Sequence, residues 1–200
     1  MPRTLTFLLA AATSMTAVVP QFVQQGFTHI VPHGWDHVLF ILGLFLVARD
    51  LHTLLFQVTL FTLAHSFSLG LAHQGLVVVP SKFVEIGIGL SIAFIAAENL
   101  FHERLSKWRP TMVVLFGLIH GLGFAHSFDA SQLAVGALLP ALFSFNIGIE
   151  LGQLTVIAAA YALTAVWWSR DWYQSLVARP ASVMIACVGL YLAVQRSFSL

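Results

Sequence analysis

Histidine is the most abundant ionisable residue of this chain, with nine copies, as many as the lysines and arginines together. Neutral imidazole and ionised carboxylate groups suit borderline divalent metals such as nickel, cobalt and zinc. Six His, Asp and Glu residues stand in or at the edges of long apolar runs, where an ionisable side chain is costly and therefore indicates function. These six predicted metal ligands are Asp36, His37, His65, Glu85, His120 and Glu150.

A second group of polar residues lies close to these ligands in the sequence and is expected to support them. Asn146, Glu150 and Gln153 follow at i, i+4 and i+7, so they share one face of a helix. The expected supporting residues are His29, His33, Ser66, Asn146 and Gln153.

A start of the second apolar helix at Pro32 would place three polar residues on one turn. Proline is favoured at a first helical position, which makes that start plausible. The three residues are His33, Asp36 and His37.

The composition predicts what kind of scaffold must position these groups. Hydrophobic residues make up 58% of the 200, charged residues only 8%, and the mean hydropathy is +0.89. Such a chain predicts an all-α, polytopic transmembrane bundle whose partners are the lipid bilayer and a metal ion. A nucleic-acid partner is excluded because no basic run is present. The single cysteine excludes a cysteine-cluster metal site.

The apolar runs divide one membrane domain, residues 1–200, into six or seven spans. Residues 1–19 form either a first helix or a signal-like segment, 20–35 an interfacial or re-entrant piece, and 36–200 the helical bundle. A second short helix or re-entrant turn is expected over 131–140. The segments of about membrane length are 5–19, 36–49, 52–73, 82–101, 110–128, 141–168 and 179–197.

The positive residues predict an orientation. With the N-terminus inside, seven of the nine lysines and arginines fall on the inner side, and only Lys82 and Arg196 fall outside. By the positive-inside rule, the segment around Asp36 and the C-terminus both face outward.

Five successive sequence blocks, spread over about residues 26–155, resemble the HupE/UreJ family of membrane proteins. That resemblance implies a secondary nickel or cobalt permease of a bacterial inner membrane, linked to the maturation of hydrogenase and urease. The blocks are HIVPHGWDHVLFILGLFL (29–46), TLFTLAHSFSL (59–69), VEIGIGLSIAFIAAENL (84–100), FGLIHGLGFA (116–125) and FNIGIELGQL (145–154).

The hallmark of that family is an HPxxGxDH stretch in an early helix, and this chain carries its second half. Gly34, Asp36 and His37 match GxDH. His29 stands one residue too far upstream and is followed by isoleucine instead of proline. The resemblance therefore implies Asp36 and His37 most directly as metal-site residues.

Three functions are compatible with the pattern. The first is a permease that carries divalent transition-metal ions through the membrane. The second is a membrane-embedded hydrolase in which the same His, Asp and Glu residues hold a metal that activates water. The third is an accessory structural subunit whose polar residues only hold helices together.

Overall fold

The computed structural model of the protein describes residues 18–48, 50–101, 106–125, 128 and 137–199. These residues form helices and turns without a strand, which confirms the expected all-α fold for this part of the chain. The helices are α1 (Val18–Ile30), α2 (Trp35–Val47), α3 (Leu51–His73), α4 (Ser81–Phe101), α5 (Arg109–Phe124), α6 (Leu138–Trp168) and α7 (Arg179–Phe198), and a π-helical turn, Gln174–Ala178, leads into α7.

Four helical segments of the described chain are long and apolar enough to cross a bilayer: α3, α4, α6 and Gln174–Phe198. Helices α1 and α2 pass the same test together, but the chain bends by 69° between them. Helix α5 is apolar but has only 16 residues. Length and composition therefore give four spans, or five if the bent pair crosses as one. The first predicted segment, 5–19, lies almost wholly outside the described residues.

The later helices lie close to the predicted segments, but the start of α2 differs. Helix α2 begins at Trp35 and not at Pro32, which belongs to the turn after α1. Most of the short helix or re-entrant turn predicted over 131–140 falls outside the described residues. Helix α6 begins at Leu138, so Pro140 lies in its first turn, where the missing N–H costs little.

Large apolar side chains cover the outer faces of the helices. Leu63, Phe67, Phe83 and Leu163 are each more than 60% exposed. Such a surface is unfavourable in water and is the expected lining toward lipid. The fold is that of an integral membrane protein.

Glycines let α3 and α5 approach closely. A methyl group at Gly121 would overlap the carbonyl oxygen of His65, and one at Gly117 would overlap that of Phe61. This GxxxG spacing on α5 permits backbone contact with α3. As a result His120, next to Gly121, is held beside the helix that carries His65.

The start of α3 is fixed by an N-cap. The Asp50 carboxylate accepts a hydrogen bond of 2.7 Å from the backbone N–H of Thr53. The backbone and side-chain hydrogen bonds from Thr53 lower the pKa of Asp50. The cap sets where α3 begins and hence the register of its later polar residues.

Candidate metal centre

The bend between α1 and α2 brings two histidines together. His29 stands near the end of α1, and His37 stands in the first turn of α2. Their ring centroids lie 4.6 Å apart. A straight helix would place residues eight positions apart about 12 Å from each other along the axis. The break at 31–34 is therefore what creates the pair.

Gly34 makes this tight connection possible. Its N–H donates to the carbonyl oxygen of Ile30 at 3.1 Å. A methyl group on Gly34 would overlap the carbonyl oxygen of His29. No larger residue fits here without moving α1 away from α2, which gives the glycine of the GxDH motif a physical role.

His65 of α3 completes a cluster of three imidazoles, called here the histidine cluster. One ring nitrogen each from His29, His37 and His65 can be chosen so that all three lie within 4.8 Å of one another. Nitrogen atoms bound to one tetrahedral metal at about 2.1 Å lie roughly 3.4 Å apart. A contraction of at most about 1.4 Å would therefore give binding distances.

Four of the six ring nitrogens of the cluster have no hydrogen-bond partner among the described residues. His29 Nε2, His37 Nε2 and both ring nitrogens of His65 are buried without a hydrogen bond. His65 is fully buried and His37 is 5% exposed. Buried polar atoms are normally paired, and a metal ion would pair with the lone pair of one ring nitrogen of each histidine. The donor set fits nickel, cobalt or zinc.

His120 lies beside the cluster, with its ring centroid 4.9 Å from that of His37. Its Nε2 lies 2.9 Å from Ser91 Oγ, which also lies 2.7 Å from the Ile88 carbonyl oxygen. In the tautomer that carries its proton on Nε2, His120 donates to Ser91 and Ser91 donates to Ile88. His120 Nδ1, which is buried and has no hydrogen-bond partner among the described residues, then has a lone pair free for a metal.

A cavity of about 300 Å³ leads from the protein surface to this region. His29, His37 and His120 line its inner part. Its rim carries three charged residues of α2, α4 and α7, called here the rim triad: Asp36, Glu85 and Arg196. His33 also lines the cavity, with Nδ1 3.1 Å from the Thr28 carbonyl oxygen.

The predicted carboxylate ligands Asp36 and Glu85 thus stand at the rim and not among the imidazoles. Asp36 accepts a hydrogen bond of 2.7 Å from Arg196 Nη2. Glu85 Oε2 lies 3.9 Å from Arg196 Nε. Both carboxylates therefore lie in the outer part of the cavity, with the histidines further inside.

The third predicted carboxylate ligand, Glu150, lies in a different place, along the contact between α3 and α6. It accepts a hydrogen bond of 2.8 Å from the Thr59 hydroxyl. The same contact holds three of the other expected polar residues. Their pairs are Thr62 with Gln153 at 2.8 Å and Ser66 with Asn146.

A buried polar network occupies the opposite end of the bundle. Arg109, 1% exposed, donates to Glu98 at 2.8 Å and to the Asn99 side-chain oxygen at 3.1 Å. Asn99 donates to the carbonyl oxygen of Gly43 at 2.8 Å and to Ser182 at 3.1 Å. These bonds tie α2, α4, α5 and α7 together at that end.

Three residues that matter in this geometry have little signal in the sequence. Arg196 and Arg109 contribute to the predicted orientation only as positive charges, yet both form ion pairs with carboxylates. Ser91 has no sequence signal beyond its position in the block around IGLSIAF. Its contact with His120 depends on how α4 packs against α5.

The fold and the cavity define an integral membrane protein with a buried imidazole cluster below a charged rim. The family model described as HupE / UreJ protein matches residues 6–196, nearly the whole chain. The protein belongs to the HupE/UreJ family, as the sequence blocks indicated. No significant match was found among curated proteins or solved structures.

Proposed function

We propose that this protein is a permease for divalent transition-metal ions, with nickel and cobalt as its cargo. The observation that supports this proposal most directly is the histidine cluster, in which four buried ring nitrogens have no hydrogen-bond partner in the described part of the chain. A cargo ion would bind one of these nitrogens from each of His29, His37 and His65. His120 Nδ1 would supply a further ligand.

The donor chemistry and the family support the same cargo. Imidazole ligands without thiolates favour nickel, cobalt and zinc over copper(I), and they disfavour magnesium and calcium, which prefer oxygen. Membership of the HupE/UreJ family is associated with nickel and cobalt handling. Nickel and cobalt are therefore the first ions to test, and zinc is the natural comparison.

The two ends of the bundle differ in a way that suits one step of transport. Glu85 and Glu98 stand on the same helix about 20 Å apart along its axis. At the Glu85 end a cavity reaches the histidines. At the Glu98 end, Arg109 forms buried hydrogen bonds with Glu98 and Asn99. The arrangement supports a state open toward the rim, which we assign to the outer face, and closed toward the inside. Release inward would require the Arg109 network to break.

The test is ion uptake by proteoliposomes containing the full-length protein and an entrapped metal-sensitive dye. Wild type should give saturable Ni²⁺ or Co²⁺ uptake. His65→Ala should reduce it at least tenfold. His52→Ala is the matched control, because His52 lies on the same helix but is exposed and outside the cluster. Uptake no faster than in protein-free vesicles would contradict the proposal.

A metal-dependent hydrolase is the second candidate, and one observation favours it. Three imidazoles with an open cavity on one side are typical of catalytic zinc sites, and the described residues show a closed network at the other end. In that case the metal would be a resident cofactor, and Asp36 or Glu85 would act as the base. Stoichiometric metal that stays bound, with no uptake into vesicles, would favour this function over transport.

A further inference from the structure

Arg196 fills the space between the two rim carboxylates. Its Nη2 lies 2.7 Å from Asp36, its Nη1 donates to the Glu85 carbonyl oxygen at 3.1 Å, and its Nε lies 3.9 Å from the Glu85 carboxylate. The guanidinium therefore occupies the position that a cation held by both carboxylates would take. It comes from the last turn of α7, a helix that contributes no histidine to the cluster.

The placement of Arg196 follows from a close helix contact. A methyl group at Gly189 of α7 would meet the backbone of Ala93, and one at Gly89 of α4 would meet that of Ala193. The two backbones therefore touch. This contact fixes where the end of α7 lies relative to the Glu85 end of α4, and Arg196 reaches the cavity rim as a result.

The same cavity connects this ion pair to free metal ligands. His37 and His120 line it, are almost fully buried, and each has a ring nitrogen with no hydrogen-bond partner in the part of the chain that the structure describes. An ion that enters by this cavity must pass Asp36 and Glu85 before it meets those nitrogens. The two carboxylates and one guanidinium leave a net negative charge, which attracts cations.

We propose that Asp36 and Glu85 form an entrance site for a divalent metal ion and that Arg196 is a tethered cation competing for that site. An arriving ion displaces the guanidinium from Asp36 and takes its place between the carboxylates. The positive charge of the bound ion keeps Arg196 off Asp36, so the equilibrium affinity for the ion includes the cost of breaking that ion pair. This inference rests on the proposed function, because it assigns the route by which the cargo reaches the cluster.

Exposure makes the displacement feasible. The Asp36 and Arg196 side chains are 25% and 19% exposed, so water can replace each partner as the pair opens. Partly exposed pairs of this kind are weak. The ion pair at the opposite end is different, since the Arg109 and Glu98 side chains are only 2% and 10% exposed. We therefore expect the Arg196–Asp36 pair to open readily and the Arg109–Glu98 pair to stay closed.

The experiment measures Co²⁺ binding to the detergent-solubilised, full-length protein by equilibrium dialysis. Arg196→Gln should lower the Kd about fivefold, the amount expected when a competitor held by a pair worth about 1 kcal/mol is removed. Arg170→Gln removes the same charge from the turn after α6 and should leave the Kd unchanged. Asp36→Asn/Arg196→Gln should bind Co²⁺ no more tightly than Asp36→Asn alone, because the guanidinium competes through Asp36.

A structural role for Arg196 predicts a different outcome. An unchanged or weaker affinity in Arg196→Gln, with wild-type helix content and thermal stability, would overturn the inference. Glu85→Gln provides a second test should Arg196→Gln fold poorly, because the Glu85 side chain is 52% exposed. It should slow Co²⁺ association several-fold in stopped-flow mixing, and an unchanged rate would equally overturn the entrance site.

The result is separable from that of the uptake experiment. Tighter binding in Arg196→Gln together with no vesicle uptake by wild type would support the entrance site and refute the permease. Uptake by wild type with no change in Arg196→Gln binding would refute the entrance site alone. Absence of saturable Co²⁺ binding by wild type would refute both.

Discussion

His29 and His37 face each other across a 69° bend in the chain, with ring centroids 4.6 Å apart. The two histidines belong to different helices, and the intervening residues form a turn. Because His65 approaches from α3, the cluster depends on two independent contacts. One is the α1–α2 turn at Gly34, and the other is the packing of α3 against its neighbours.

The first prediction concerns the contact between α3 and α5. Gly121→Ala should lower the free energy of unfolding by about 1–3 kcal/mol, the usual cost of overpacking, because its methyl group would overlap the His65 carbonyl oxygen. Gly70→Ala is the matched control on α3, where the nearest atom would be Leu142 Cδ1 at 3.6 Å. Unfolding in mixed micelles by a denaturing detergent measures both. Equal effects of the two substitutions would contradict the close contact.

The second prediction concerns the orientation of His120. Ser91→Ala removes the hydroxyl that contacts His120 Nε2 and should weaken Co²⁺ binding about tenfold, as expected for a group that orients a metal ligand. Ser197→Ala is the control, since its hydroxyl bonds only to a carbonyl oxygen of its own helix. A Co²⁺ titration of both variants decides the point. If Ser91→Ala binds Co²⁺ like wild type, His120 is not oriented for metal binding by Ser91.

The third prediction compares the two ion pairs. Glu98→Gln leaves a buried guanidinium without its counter-charge and should cost roughly 3–5 kcal/mol of unfolding free energy. Asp36→Asn should cost less than about 1 kcal/mol, because that pair is partly exposed. Thermal unfolding of the two variants in the same detergent gives the comparison. A larger loss in Asp36→Asn would reverse the assignment of the closed and the exchangeable end.

The fourth prediction tests the polar contact between α3 and α6. Thr62→Val removes the hydroxyl that donates to Gln153 and leaves a buried amide oxygen unpaired. The expected loss is about 1 kcal/mol, typical of hydrogen bonds between membrane helices. Thr155→Val is the control, because its hydroxyl is exposed and bonds only to Leu151 of the same helix. Equal stabilities would indicate that Gln153 finds another partner.

The helices were predictable because each must be long and apolar enough to cross a bilayer, and a run of apolar residues reveals this directly. Segment 82–101, for example, corresponds closely to α4, Ser81–Phe101. The start of α2 was less predictable. Pro32 suits a helix start, but the chain uses it in the turn that sets His29 against His37.

The composition of the site was predictable only in part. His37, His65 and His120 were all predicted as metal ligands and lie together, and the prediction that they bind metal still awaits a measurement. His29 was expected in a supporting role, yet it lies within the cluster. The separation of carboxylates from imidazoles depends on side-chain packing. The partner of Asp36 lies 160 residues away, and no local pattern reveals such a pairing.

The central claim is that the histidine cluster binds a divalent transition-metal ion. The most direct measurement is a Co²⁺ titration of the purified full-length protein, followed by visible absorption and by elemental analysis after dialysis. We expect wild type and His52→Ala to bind near-stoichiometric Co²⁺ with ligand-field bands typical of nitrogen ligands, and His65→Ala to lose them while remaining folded. Absence of saturable binding by wild type at neutral pH, or unchanged bands in His65→Ala, would contradict the claim.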